Sequence, residues 1–451
     1  MISLLDSSLF AGLFAIDDEI AADFDDRRRV ADLLEVEAAL ARAQAEAGVI
    51  PAAAAERIAA AAKTLDVDLA ALRRSVAACG VPTIELVRQL RQACGSDAAP
   101  FVHRGATSQD IVDTASLLAL RRAVAKIKVK LKDTAAALIA LADGHRQTVM
   151  AGRTHGMHAA PIVFGLKAAN WLAPFSRHWQ RLAELEPRLF VVQLGGAAGT
   201  LAALGDRGLA VAAALARELA LGPAVPWHTQ RDAIVEFGGW LALVAASFGK
   251  IGQDVILLAQ TDVGEAAESG DGSRGGSSTM PHKANQIASE MMVAAARAVA
   301  PLVAALQSAG IQEHERATHG WQLEWLLVPQ MVALTSGCAS HGVFVARNLQ
   351  VDAARMRENI CDAGQLVMAE SLSLALAETM TLEDAQALVK RAAADARGSR
   401  EPLATAVKRA VDARGAGGAI DWDRFTNPAA HVGAAGEIID RILADARRTI
   451  R

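Results

Sequence analysis

The sequence predicts an all-α protein of three domains built around a central bundle of long helices. Alanine and leucine dominate, aromatic residues make up 4 % of the chain, and tyrosine is absent. That composition favours helices and is poor in the residues strands prefer. Two segments repeat apolar residues at alternating steps of three and four over many turns, the mark of a narrow seam between long helices crossing at a shallow angle. At 451 residues the chain is also long enough for several domains and a large core.

Asp6, Asp17, Asp18 and Glu19 stand where a secretory leader would carry basic residues, so no signal peptide is expected. Asp25 and Asp26 open a helical run over 27–47, which Gly48 and Pro51 end. Shorter helices follow to about residue 93, 94–100 reads as a loop, and the first domain ends at 108. Leu117, Leu120, Val124, Ile127, Leu131, Thr134, Leu138 and Leu141 form the first seam. Pro161 is expected at the opening of a further helix, in keeping with proline's preference for the first helical position. Ile234, Phe237, Leu241, Val244, Phe248, Ile251, Val255 and Leu258 form the second seam. Another helix is expected from Ala284 and a last long one over 321–346, kinked at Pro329. The central domain is thus 109–349. In 350–451 the helices become shorter, and the glycines of 415–418 with Pro428 suggest a loop-rich end.

A net charge of −4 gives no field that would call for nucleic acid or an anionic membrane. Cys79, Cys94, Cys338 and Cys361 have no CxxC spacing, which points to reduced thiols in a cytoplasm. The mean hydropathy of +0.22 raises the question of a membrane span. The longest stretch free of charged side chains, 325–346, holds Pro329, Gln330, Thr335, Ser336 and His341. A buried helix in a large assembly suits it better.

Three segments concentrate polar residues in this otherwise apolar chain: His103-Arg104-Gly105-Ala106-Thr107-Ser108-Gln109-Asp110, Gly152-Arg153-Thr154-His155-Gly156-Met157-His158, and Gly275-Gly276-Ser277-Ser278-Thr279-Met280-Pro281-His282-Lys283-Ala284-Asn285. Each is placed at or near the start of a predicted long helix, where free N–H groups and the helix dipole favour anions. Read singly, each has a plainer explanation. Thr107, Ser108 and Asp110 are good helix caps. His155 and His158, three apart, would share one helical face, as many non-catalytic histidines do. A metal site would need a third ligand, and no HExxH pattern supplies one. A glycine-serine stretch serves as a linker, but Met280-Pro281 and Lys283-x-Asn285 give this one specific chemistry.

Taken in order, the three segments resemble the three signature regions of the fumarase/aspartase superfamily, whose members add to or eliminate across a bond beside a carboxylate. The resemblance runs through most of the chain and implies a role for each matching residue. Ser277 is the general base, acting as an alkoxide stabilised by backbone N–H groups and Lys283. Lys283 and Asn285 bind a substrate carboxylate, with Ser278 beside them. His155 pairs with Glu290 and acts as acid or carboxylate binder, and His158 lies close by. Thr107, Ser108 and Gln230 contact the substrate, as do His103 and Arg104; Arg153 and Arg316 are further candidate cations. The resemblance also implies a homotetramer whose active sites draw the three segments from three subunits, a small polycarboxylate substrate, and no metal or organic cofactor. No nucleic-acid or membrane partner is expected.

Within the superfamily, the first segment, Gln193-Leu194-Gly195-Gly196-Ala197-Ala198-Gly199-Thr200, Pro226-Trp227-His228-Thr229-Gln230-Arg231-Asp232, and Gln312-Glu313-His314-Glu315-Arg316 with Glu324-Trp325 resemble the cycloisomerase branch. Its members close a lactone inside a polycarboxylate. The His155 and Glu290 pair departs toward the fumarate-forming lyases, which supply the enzymatic alternative. A non-catalytic scaffold is the rival from another class, and intact Ser277, Lys283, Asn285 and His155 argue against it.

Overall fold

The computed structural model describes residues 7, 10–14, 18–268, 274–316, 318–399, 401–415 and 420–451. Asp6, Asp17 and the 416–418 part of the expected C-terminal loop lie outside the described residues. In chain order, α1 (Asp18–Asp23) is followed by α2 (Asp26–Glu46), α3 (Ala52–Thr64), α4 (Leu69–Cys79) and α5 (Thr83–Ala93). The long α6 (Ser108–Gly144) leads to β1 (Val149–Thr154) and β2 (Met157–Val163), then to α7 (Phe164–Leu189), α8 (Gly208–Glu218) and α9 (Asp232–Leu258). After β3 (Ala266–Glu268) come α10 (Ile287–Ala309), α11 (Gly320–Asn348) and β4 (Leu349–Val351). The chain ends through α12 (Ala353–Asp362), α13 (Ala369–Leu376), α14 (Leu382–Ser399), α15 (Leu403–Asp412) and α16 (Ala435–Thr449).

Local signals set these boundaries where the sequence expects them. Asp25 caps α2 by accepting the Arg28 N–H at 2.6 Å, and Gly48 follows it in the left-handed region at φ 68°. Every residue of the 234–258 seam is buried, as is the 117–138 part of the other; Leu141 is half-buried.

Two expectations fail. Pro161 does not open a helix: it lies in β2, paired with Ala151 of β1, and α7 begins at Phe164. The connection Thr154-His155-Gly156-Met157 is a two-residue hairpin turn with both central residues at positive φ, His155 at 51° and Gly156 at 77°. Such a turn matches the twist of the strands it joins. A bulge in β2 opposite Gly152, where a Cβ would sit 2.8 Å from the Ala160 carbonyl oxygen, disturbs the ladder beside Pro161. His155 and His158 therefore share a hairpin and not a helical face. The second failure is smaller. α10 starts at Ile287 instead of Ala284 because Glu268 caps it, accepting the N–H groups of Ser289 at 2.6 Å and Ala288 at 3.3 Å.

The described residues group into two compact units whose boundaries fall inside α6, α7, α9, α10 and α11. The first comprises Met1–Lys130, His178–Ala246 and Ala295–Ser340. Its core joins Leu40, Ile58 and Leu90 of α2, α3 and α5 to Val211 and Leu215 of α8. A buried ion network braces it. Arg231 donates to Asp113 at 2.7 and 3.2 Å and to Glu324 at 2.9 and 2.5 Å, and the Trp321 indole donates to Asp113 at 2.8 Å. The second unit comprises Leu131–Arg177, Ser247–Ala294 and His341–Arg451. Ala151 of the hairpin belongs to its core, with Ile360, Leu372, Leu388, Leu403 and Val407. Gly252 of α9 faces Ser289 of α10 so closely that a Cβ would lie 2.6 Å from the Ser289 carbonyl oxygen.

Candidate active site

The first polar segment is organised from within the first unit by Asp110. Its carboxylate accepts the Thr107 N–H at 2.9 Å, the Gly195 and Gly196 N–H groups at 2.8 and 3.0 Å, and His228 Nε2 at 2.7 Å. The bond back to Thr107 is the second half of a capping box, so the helix-cap explanation holds for Asp110. Thr107 and Ser108 have other work. Arg316 donates to the Thr107 hydroxyl at 2.5 Å, and Thr83 donates to the Ser108 hydroxyl at 2.5 Å. Gln109 donates to the His228 carbonyl at 2.9 Å, so the loop bearing Gln230 is fixed to α6 while Gln230 itself stays exposed. His103 meets Glu37 of α2 at 2.6 Å, and Arg104 is exposed with its guanidinium 5.8 Å from the Phe101 ring centre.

The second segment places His155 at the exposed tip of the hairpin, and His158 opposite Arg153 in the ladder. Burial, then the charge of Arg153, pushes the His158 imidazole below its ordinary value. Arg153 is not free for substrate: it makes two 2.7 Å bonds to Glu265, which is fully buried and also accepts Asn359 Nδ2 at 2.8 Å. As a candidate substrate cation it is thereby withdrawn.

The third segment is a closed loop. Asn285 N–H donates to the Gly275 carbonyl at 2.8 Å, and Gly276 bridges Ala284. Gly275 has φ 73°, and a Cβ there would lie 2.3 Å from the Asn285 carbonyl oxygen, so glycine is required. Arg274 lies 4.1 Å over the Phe344 ring at the loop's entry. Inside the loop, Ser277 Oγ accepts the Met280 N–H at 3.1 Å and the Thr279 N–H at 3.3 Å. Two backbone dipoles converge on that oxygen and favour negative charge on it. Ser278 and Lys283 are exposed, and Asn285 is half-buried.

His103, Arg104, Thr107, Ser108, Gln230 and Arg316 thus belong to the first unit, and His155, His158, Ser277, Ser278, Lys283, Asn285 and Glu290 to the second. His155 and Glu290 are both exposed and share no hydrogen bond within the chain. Among the described residues, no cluster of three His, Cys, Asp or Glu side chains is arranged to hold a metal. Sequence reasoning passed over Glu37 and Gln44, whose Nε2 donates to the Arg104 carbonyl at 2.5 Å. It also passed over Glu265 as the partner of Arg153. The signal for the first pair was present, since both interrupt the apolar face of α2.

Residues 15–300 match the sequence model of a family described as Lyase. The chain belongs to that family, within the fumarase/aspartase superfamily. The 3-carboxy-cis,cis-muconate cycloisomerase of Pseudomonas aeruginosa is 44 % identical over 428 residues, 94 % of this chain and 93 % of that protein. The nitrosuccinate lyase of Streptomyces davaonensis is 38 % identical over 96 % of this chain and 93 % of that protein. The crystal structure of 3-carboxy-cis,cis-muconate lactonizing enzyme from Pseudomonas putida matches with a TM-score of 0.91 at 38 % identity, covering 99 % of this chain and 100 % of that one. The all-α fold is shared with that solved structure.

Proposed function

We propose that the chain is a cytoplasmic enzyme of aromatic-acid catabolism that converts 3-carboxy-cis,cis-muconate to a carboxymuconolactone. The observation that carries this reading is the pair of backbone N–H groups on Ser277 Oγ, in a loop that also presents Lys283 and Asn285. In the lactonising direction, one substrate carboxylate oxygen bonds to a carbon of a double bond. The π pair moves onto the carbon beside another carboxylate, leaving a dianionic aci-carboxylate. Lys283 and Asn285 hold that carboxylate where its charge grows. The Ser277 hydroxyl gives its proton to the carbon, and the two N–H groups stabilise the alkoxide until solvent reprotonates it. Run backwards, the same serine is the general base, as microscopic reversibility demands. The reaction takes up one proton, exchanges no electrons and asks for no cofactor. The substrate's remaining carboxylates fall to Thr107, Ser108, Gln230, Arg104, Arg316 and His103.

A homotetramer with shared sites fits the same reading. α9 and α10 are long and apolar enough to cross a membrane by length and composition alone, yet only 44 % and 28 % of their most apolar windows is buried within the chain. Burial against copies of the chain would cover those faces, and would bring His155 to a Glu290 of another subunit. The division 1–108, 109–349 and 350–451 belongs to this proposal, with the middle domain supplying the intersubunit core.

An ultraviolet assay of purified protein, without added metal or cofactor, tests the function. Loss of the diene absorbance of 3-carboxy-cis,cis-muconate is the expected result. Fumarate formation from a substituted succinate, without diene loss, would replace it with the lyase reading, which the likeness to nitrosuccinate lyase favours.

A further inference from the structure

Helix α2 buries three polar residues: Asp32, which pairs with Arg122, and also Glu37 and Gln44. Glu37 and Gln44, seven residues and two turns apart, are 1 % and 0 % exposed. Both reach the first polar segment, Glu37 through the His103 ring and Gln44 through the Arg104 carbonyl. There the backbone is forced: His103 has φ 61° and Gly105 φ 71°, and a non-glycine residue holds that conformation only when its surroundings impose it. Glu37 Oε1 lies 2.6 Å from His103 Nδ1, while Glu37 Oε2 is buried with no hydrogen-bond partner. Among the described residues, His103 is the group that ion-pairs with Glu37. A buried carboxylate left without a cation is costly, so this geometry favours an imidazole that carries a proton on both nitrogens. Asp110 cannot take over as His103's partner, because four donors already occupy its two oxygens.

We infer that Glu37 is a positioning residue for the proposed reaction: it holds His103 as an imidazolium whose Nε2 is offered to a substrate carboxylate beside Thr107 and Ser108. No described residue takes a hydrogen bond from that Nε2, and the ring keeps 17 % of its surface. The groups that face His103 are Glu37 of α2, Asp110 of α6 and Arg91 of α5. Burial lowers the imidazole's value, but the charge and hydrogen bond of Glu37, joined by Asp110, outweigh burial and Arg91, and the net shift is upward from 6.5. The pair's contribution to stability is therefore complete below that ordinary value and is lost as pH rises through the raised one. This is a second histidine–carboxylate pair, distinct from His155 and Glu290, and its meaning for turnover rests on the cycloisomerase reading.

The test is the pH dependence of kcat and KM on 3-carboxy-cis,cis-muconate for Glu37→Gln, Glu37→Asp, His103→Asn and the double variant Glu37→Gln/His103→Asn. Glu37→Gln is expected to raise KM about tenfold at mildly alkaline pH, more than it lowers kcat, as loss of one charge-assisted contact would. The alkaline limb of kcat/KM should move down toward the ordinary imidazole value, and Glu37→Asp should restore it. In the His103→Asn background Glu37→Gln should add no further loss. An unmoved alkaline limb, or an equal further loss in that background, overturns the inference. A wild-type protein with no turnover on this substrate defeats the function reading alone. Histidine NMR titration of wild type and Glu37→Gln, with His103 assigned by His103→Asn, then decides the pair directly: an unshifted His103 midpoint sinks it. Should Glu37→Gln fail to fold, the same titration of Glu37→Asp and wild type decides, and a wild-type His103 midpoint at or below the ordinary value rejects the pair.

Discussion

Around Asp110 nearly every polar group of the candidate site has a partner inside the chain. Thr107 is held by Arg316, Ser108 by Thr83, His103 by Glu37, and Asp110 accepts four donors. The glycine-serine loop is built the other way. Its closure rests on backbone contacts between Gly275 and Asn285, and Ser278 and Lys283 are exposed to solvent. The two regions hold the same kinds of side chain under different constraints. In the first, a substitution should unbalance buried charge and disturb the fold; in the second, on the proposed function, it should remove chemistry and leave the fold as it was.

The sharpest test of that contrast is Ser277→Ala. Turnover should fall by about 10²- to 10⁴-fold, the range for loss of a proton-transferring group, while chemical denaturation shifts by no more than about 0.5 kcal/mol. Wild-type turnover in that variant would remove Ser277 from the mechanism. Asp110→Ala should behave in the opposite way and cost about 3–5 kcal/mol in denaturation, because it strands four donors, three of them buried. A cost below about 1 kcal/mol would mean that the segment is not braced as described. Gly275→Ala should lower turnover about a hundredfold by displacing Ser277 and Asn285, with a smaller effect on the unfolding midpoint than Asp110→Ala. Equal loss of both would place the loop among the structural regions. The smallest effect, about tenfold in kcat/KM, is expected for His155→Asn. Full activity there, with loss in His158→Asn, would transfer the role to His158.

What the sequence made legible follows from the range of the interactions involved. The seams of α6 and α9 repeat locally, and nearly all their residues are buried. The α2 boundaries depend on Asp25 and Gly48, which act within a turn. The hairpin was missed because His-Gly is a rare way to write a turn usually spelled Asn-Gly or Asp-Gly, and Pro161 imitates a helix start. Arg153 looked available because the carboxylate that takes it, Glu265, lies 112 residues away. Glu37 and His103 are 66 residues apart, and only the fold makes them a pair. The loop could be singled out because Ser277, Lys283 and Asn285 are neighbours in sequence, whereas the groups that hold Thr107 and Ser108 come from Arg316 and Thr83.

The placement of the unit boundaries inside α6, α7, α9, α10 and α11 also bears on how the protein is made. A chain whose domains follow one another can finish the first while the ribosome is still writing the second. Here the first unit draws on residues up to Ser340, and the second resumes at His341 after contributing two earlier stretches. Neither can close until most of the message has been translated, so the nascent chain must carry its apolar helices half-packed. No single cut in the gene would leave both units whole.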